Sequence, residues 1–148
     1  MNPTADESSL SAREIADRYL TATRGGSDAD QSTFDRLISD DVTWELCGSG
    51  VEYARVYRGK AEVYGEFLGR LQRHVDAEKS VITTRDVFVD EEQRAIIVHN
   101  EDALVLTNGA RVDNHVVMIM RVEAGQISSV LEVMDLRPVV AAFGPTLG

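Results

Sequence analysis

Four polar side chains interrupt an otherwise apolar stretch between Ala95 and Leu136: Asn100, Asp102, Asn114 and Glu132. Carboxyl groups can give or take a proton and carboxamides can hold a substrate atom in place. A small cluster of both among Val, Ile, Leu and Met therefore has the composition of a ligand pocket. A second polar set, His99, Glu101, Asp113, His115 and Asp135, occupies alternating positions of the same stretch. Imidazole and carboxylate are donors that zinc or iron accepts. With no His-x-x-x-His pair to present two imidazoles from one helix face, however, no metal is expected. Cys47 is the one cysteine and has no neighbouring basic group to stabilise a thiolate, so it reads as a structural or surface residue.

The elements that must position these groups can be read from periodicity. Residues 95–106, 110–122 and 126–136 form three long strands, joined by turns at Thr107-Asn108-Gly109 and Glu123-Ala124-Gly125. Alternation places Asn100, Asp102, Leu104, Asn114, Val116, Met118, Glu132 and Met134 on one face, and the histidine-containing set on the other. One bulge would exchange the two faces, so either set could form the site. Upstream, Ser11-Ala12-Arg13-Glu14 is a capping box that starts a helix, which carries Ile15, Tyr19 and Ala22 inward and is expected to end at Gly25-Gly26. Taken alone, Tyr19 reads as a core tyrosine. A short helix through Phe34, Leu37 and Ile38 closes at Asp40-Asp41, and Val42 to Cys47 form a strand with Val42, Trp44 and Leu46 on one face. Gly48 to Arg58 is a loop whose Tyr53 and Tyr57 could form a lip over a cavity. A third helix carries Val63, Phe67, Leu71 and Val75. The glycines inside it, Gly65 and Gly69, either mark a close approach to the sheet or are merely tolerated. His74 reads as solvated, and a further strand lies between Lys79 and Asp90.

These elements predict an α+β fold, with helices on one side of a curved, mainly antiparallel sheet. At 148 residues the chain suits one domain, of which residues 1–9 form a loose tail. The middle of the sheet is apolar on both faces, so a homodimer is expected to cover the face that the helices leave open. A net charge of −10 argues against nucleic acid and anionic membranes as partners. The N-terminus lacks the features of a signal or transit peptide, and no run reaches the roughly 18 apolar residues of a membrane span. A cytoplasmic location is expected.

Several segments carry a family resemblance: Arg18-Tyr19-Leu20, Asp40-Asp41-Val42-Thr43-Trp44-Glu45, Tyr57-Arg58-Gly59-Lys60 and Arg121-Val122-Glu123-Ala124-Gly125-Gln126-Ile127. In layout the chain resembles the nuclear-transport-factor-2-like superfamily, which includes SnoaL-like polyketide cyclases, ketosteroid isomerase and limonene epoxide hydrolase. The resemblance implies a cone-shaped α+β barrel with three N-terminal helices on the concave side of its sheet. By similarity to ketosteroid isomerase, Tyr19 looks like an oxyanion hydrogen-bond donor. That enzyme's catalytic aspartate falls at Leu46, and its second pocket aspartate near Val117 or Met118, so its strict mechanism is not expected. The arginine and two aspartates of limonene epoxide hydrolase fall at Asn100, Asp102 and Glu132, while its water-holding tyrosine and asparagine fall at Trp44 and Leu46. The comparison favours the face with Asn100, Asp102, Asn114 and Glu132 and leaves the histidines outside the pocket.

Two carboxyl groups in an apolar cavity cannot both ionise cheaply, so one should act as acid and the other as base. The resemblance thus makes Asp102, Glu132 and Tyr19 the catalytic candidates. Asn100, Asn114, Trp44, Leu46, Leu104, Val116, Met118 and Met134 would bind the substrate. The expected activity is acid–base chemistry without a cofactor, either cyclisation or isomerisation, on a hydrophobic intermediate of polyketide or terpenoid kind. The alternatives are epoxide opening by the same two acids and a non-catalytic small-ligand-binding or dimerisation module.

Overall fold

A computed structural model of the chain describes residues 7, 9–24 and 30–148. Helix α1 (Ala12–Thr23) starts at the capping box: Ser11 Oγ accepts from Glu14 N at 3.1 Å, and Glu14 Oε2 accepts from Ser11 N at 2.9 Å. Ile15, Ala16, Tyr19 and Leu20 form its buried stripe. The helix ends at Thr23, and the expected terminators Gly25 and Gly26 lie outside the described residues. Helix α2 (Gln31–Leu37), capped by Asp30, runs directly into strand β1 (Ile38–Leu46). Asp40 and Asp41 therefore do not close a helix. They sit within the strand, where a register shift between Ile38 and Thr43 lets both side chains face water before Val42, Trp44 and Leu46 turn inward.

The segment expected to be a lip is structural. Strand β2 (Val56–Arg58) pairs with β1, Trp44 opposite Tyr57. Tyr57 is fully buried and stacks on Phe67 at 4.8 Å, and its hydroxyl donates to Tyr53 O. Tyr53 is also buried and donates to Gly144 O at 2.9 Å, so the pair ties the loop to the C-terminal segment.

Helix α3 (residues 60–74) has three consecutive parts: Lys60–Glu62, a π-helical Val63–Leu68, and Gly69–His74. The Gly69 N–H reaches back to Tyr64 O, and a Cβ at Gly69 would stand 2.4 Å from that oxygen. Gly69 thus permits the π turn within its own helix, whereas Gly65 faces open space. Neither marks an approach to the sheet. His74 is half-buried, within hydrogen-bond distance of Gly148 O and edge-on to Phe143.

Strands β3 (Val81–Asp90), β4 (Ala95–Val105), β5 (Arg111–Glu123) and β6 (Gln126–Met134) complete the sheet. A final helix, α4 (Leu136–Phe143), takes the place of the end of the last predicted strand. Asp135 caps it by accepting from Arg137 N, and Pro138 fits its first turn, where no intrahelical N–H is needed. The sheet order is β2-β1-β6-β5-β4-β3, with β1 and β6 parallel and every other pair antiparallel. The result is a curved, unclosed six-stranded sheet with helices on its concave face, the α+β cone expected from the sequence. Among the described residues, no helix is long and apolar enough to cross a membrane.

Pairing of β4 with β5 is uninterrupted from Ala95–Arg121 to Val105–Arg111, so no bulge exchanges their faces. Ile96, Val98, Val116, Met118, Met120 and Val130 pack inward with Ile15, Tyr19 and Phe67 as one core. On the opposite face Phe88, Val81 and Val133 are 61%, 59% and 41% exposed.

Candidate functional site

The inner face carries its polar groups in rows. Leu46, Glu132, Met118 and Val98 lie side by side across β1, β6, β5 and β4. One pleat along, Asn100 pairs with Val116, which pairs with Met134, and beyond them Asp102 pairs with Asn114. Leu104 follows at the end of the face, half-buried beside Val112. Trp44 lies two residues before Leu46 on β1 and reaches diagonally across the parallel pair, so that Nε1–H donates to Glu132 Oε1 at 2.6 Å. Both side chains are buried, at 2% and 8% exposed. The same two strands are joined behind this bond, where Cys47 N donates to Glu132 O at 2.9 Å while the Cys47 side chain is exposed. From α1, the buried Tyr19 hydroxyl donates to Met118 Sδ at 3.5 Å. Thioether sulfur is a weak acceptor, so little holds this hydroxyl against a better one.

Burial dominates the electrostatics. It pushes the Glu132 carboxyl up to about 7; the Trp44 N–H opposes this by favouring the anion, and the nearby charge of Asp102 adds to the rise. Asp102 is pushed up to about 6 by burial, and its Oδ1 is enclosed without a hydrogen-bond partner among the described residues. Tyr19 is pushed upward by burial first and then by the charges of Glu132 and Asp102, so it remains a neutral donor. Tyr19, Asp102 and Glu132, drawn from α1, β4 and β6, thus share one electrostatic neighbourhood.

The two amides differ in placement. Asn100 is buried and its Oδ1 accepts from Thr84 Oγ1 at 2.8 Å, leaving its NH2 as the group available inward. Thr84 had no assigned role in the sequence reading; its signal is a hydroxyl residue on β3 directly opposite Asn100. Asn114 is half-exposed and donates to Asp135 O at 2.8 Å, holding the start of α4 against β5. Its side chain is committed to that corner and lies beside Asp102.

An open cavity of about 580 Å³ lies at this corner, where β6 has ended and β5 continues. Its lining comes mostly from the outer face, Val81, Thr83, Glu101 and His115 among it, and includes Asp102 and Asn114 of the inner face and Pro138 of α4. Trp44, Leu46, Met118 and Glu132 do not line this cavity; they lie deeper, in the packed inner face. Of the two inner acids, this cavity touches Asp102 and does not reach the buried Glu132. On the outer face His99 Nδ1 lies 2.8 Å from Asp86 Oδ2, and His99 Nε2 lies 2.9 Å from His115 Nδ1. Among the described residues, no three His, Cys, Asp or Glu side chains are grouped so that they could hold a metal ion.

Comparison with known proteins adds a family and a fold. A sequence profile of the SnoaL-like domain matches residues 16–130. A comparison with curated proteins finds no match. Among solved structures, an NTF2-like protein from Burkholderia thailandensis superposes with a TM-score of 0.73 at 20% identity, over 92% of this chain and 99% of that one. A protein from Bacillus subtilis provisionally assigned as an isomerase gives 0.71 at 15% identity, over 93% and 96% of the two chains. One from Jannaschia sp. CCS1, provisionally assigned as a SnoaL-like polyketide cyclase, gives 0.70 at 14% identity, over 97% of each. At these identities the likeness is one of fold.

Proposed function

The chain belongs to the SnoaL-like domain family, and we propose that it is an enzyme that performs acid–base chemistry, cyclisation or isomerisation, on a hydrophobic polyketide- or terpenoid-like substrate without a cofactor. One observation carries the reading: two carboxyl groups, with no cationic partner among the described residues, share the inner face and are both pushed towards neutrality. Groups with such values can exchange protons with a substrate near neutral pH. The isomerase and cyclase assignments of two fold neighbours agree with this chemistry at the level of fold.

In this mechanism the substrate enters beside Asp102 and parts the packed inner face to lay its apolar body against Trp44, Leu46, Val116, Met118 and Met134. Asp102 as carboxylate removes a proton from a carbon next to a carbonyl. Tyr19 and the Asn100 amide donate to the carbonyl oxygen as charge develops there, the Tyr19 hydroxyl leaving Met118 Sδ to do so. The resulting enol either regains a proton at another carbon, which is isomerisation, or attacks a second carbonyl, which is cyclisation.

The test is turnover of a panel of poly-β-ketone and enone substrates. Asp102→Asn and Glu132→Gln should each abolish most activity in folded protein. If both variants turned over a cognate substrate at the wild-type rate, the assignment would fail. Epoxide opening is a second reading, favoured because a protonated Glu132 could donate to an epoxide oxygen; incorporation of ¹⁸O from labelled water distinguishes hydrolysis from cyclisation. We propose in addition that a second copy covers the exposed outer face around Phe88, Val81 and Val133, which sedimentation would detect as a dimer.

A further inference from the structure

The proposed reading makes Asp102 the base and gives Glu132 no defined part in the proton transfer, and the geometry around Trp44 bears on that part. An indole N–H can only donate. Its partner, Glu132 Oε1, must therefore act as an acceptor whether the carboxyl is charged or neutral. Both groups are buried and Leu46 packs alongside, so no water competes for that oxygen. Among the described residues Asp102 has no such fixed donor, and its enclosed Oδ1 is unpartnered.

We propose that Trp44 is the residue that places the active proton: it confines the proton of Glu132 to Oε2, the oxygen of that carboxyl left free to give it up. The proposal rests on the acid–base reading of the same site. In the first step the Asp102 carboxylate takes the proton from the substrate carbon. The C–H electron pair moves to form the enol double bond, the carbonyl π pair moves onto oxygen, and that oxygen takes the Oε2 proton. Asp102 is now neutral and Glu132 ionised, with the anion held by the Trp44 N–H. In an isomerisation, the enol returns its proton to Glu132 while Asp102 delivers its own to the new carbon, so both acids end as they began. Asp102 is half-buried and can also exchange protons with water between turnovers, whereas Glu132 is enclosed. Trp44 touches Glu132 and acts on the reacting atoms through it, so its role is positioning.

Trp44 is the only tryptophan in the chain, which makes its indole resonance a direct probe in the unmodified protein. The experiment is a ¹H–¹⁵N titration of that resonance across about pH 5 to 9, a range spanning the raised values. In the wild type the indole proton should move downfield as Glu132 ionises, with an inflection at about 7. The inflection should vanish in Glu132→Gln and move to lower pH in Asp102→Asn, where the neighbouring charge is gone. Trp44→Phe, checked for folding by circular dichroism, should raise the pH at which Glu132 ionises, read from its carboxyl infrared band. An indole resonance that is flat with pH in the wild type would overturn the proposal, as would an Asp102→Asn inflection that does not move. Titration as described, with turnover nonetheless intact in Asp102→Asn and Glu132→Gln, would uphold the proton placement and reject the catalytic reading.

Discussion

Glu101 and Glu132 stand on one sheet two strands apart, yet their surroundings treat the same side chain in opposite ways. Glu101, on the outer face, accepts from Arg85 at 2.9 Å, and that guanidinium holds its carboxyl below the usual glutamate range. Glu132, on the inner face, has only an indole N–H against the effect of burial, and is pushed up to about 7. The other residues follow suit. Asp86 has His99 beside it outside, whereas Asp102 inside has an oxygen with no partner among the described residues. A paired carboxylate in water is a solvated charge; an unpaired one in a dry core is a stored proton. The two faces thus differ less in which residues they carry than in how far their acids are enclosed.

The largest effect that would test this contrast is on turnover. Glu132→Gln or Asp102→Asn should lower kcat by about 10²- to 10⁴-fold, the usual range for loss of a positioned acid or base. Asp86→Asn on the outer face, away from the cavity, should leave kcat unchanged, and a comparable loss there would erase the distinction between the faces.

The next effect is on stability against pH, and its sign differs between faces. Asp102 and Glu132 have raised values, so the folded protein holds protons that the unfolded chain would release. Their stabilising effect is full below the ordinary carboxylate values and is lost as pH rises through about 6 and about 7. For Glu132 the loss is on the order of 3 kcal/mol. Thermal melts should therefore show Tm falling between pH 5 and pH 8, and this slope should flatten in the Asp102→Asn/Glu132→Gln double variant. Glu101 behaves in reverse: its value is lowered, so its contribution is present above the ordinary glutamate value and is lost only as pH falls through the lowered one. The smallest effect follows from that exposure. Arg85→Met should leave Tm at neutral pH unchanged within error, since an exposed ion pair contributes little.

The strands and their faces were legible in the sequence because a period of two needs only local information, and the unbroken β4–β5 register preserves it. The first helix was equally local, its start written in Ser11 and Glu14. What escaped depended on distant partners. Tyr53 and Tyr57 looked like loop residues because nothing nearby in sequence shows that Gly144 and Phe67 receive them. Helix α4 was hidden by the apolar run that precedes it, although Asp135 followed three residues later by Pro138 is a helix-start signal. In the candidate site, the face carrying Asp102 and Glu132 was readable, with family resemblance choosing between the two sets. The Trp44–Glu132 bond was not, since it crosses a parallel strand pair whose members lie 88 residues apart. Nor was the corner cavity, which exists because β6 stops at Met134 while β5 runs on.

Direct titration of the two inner carboxyl groups is the most searching measurement. Infrared spectra of the ligand-free protein, recorded against pH and assigned with Asp102→Asn and Glu132→Gln, should show protonated carboxyl bands that disappear in two steps, near about 6 for Asp102 and about 7 for Glu132. If both groups instead ionised together at ordinary carboxylate values, the inner face would be no drier than the outer, and it would hold no proton for catalysis.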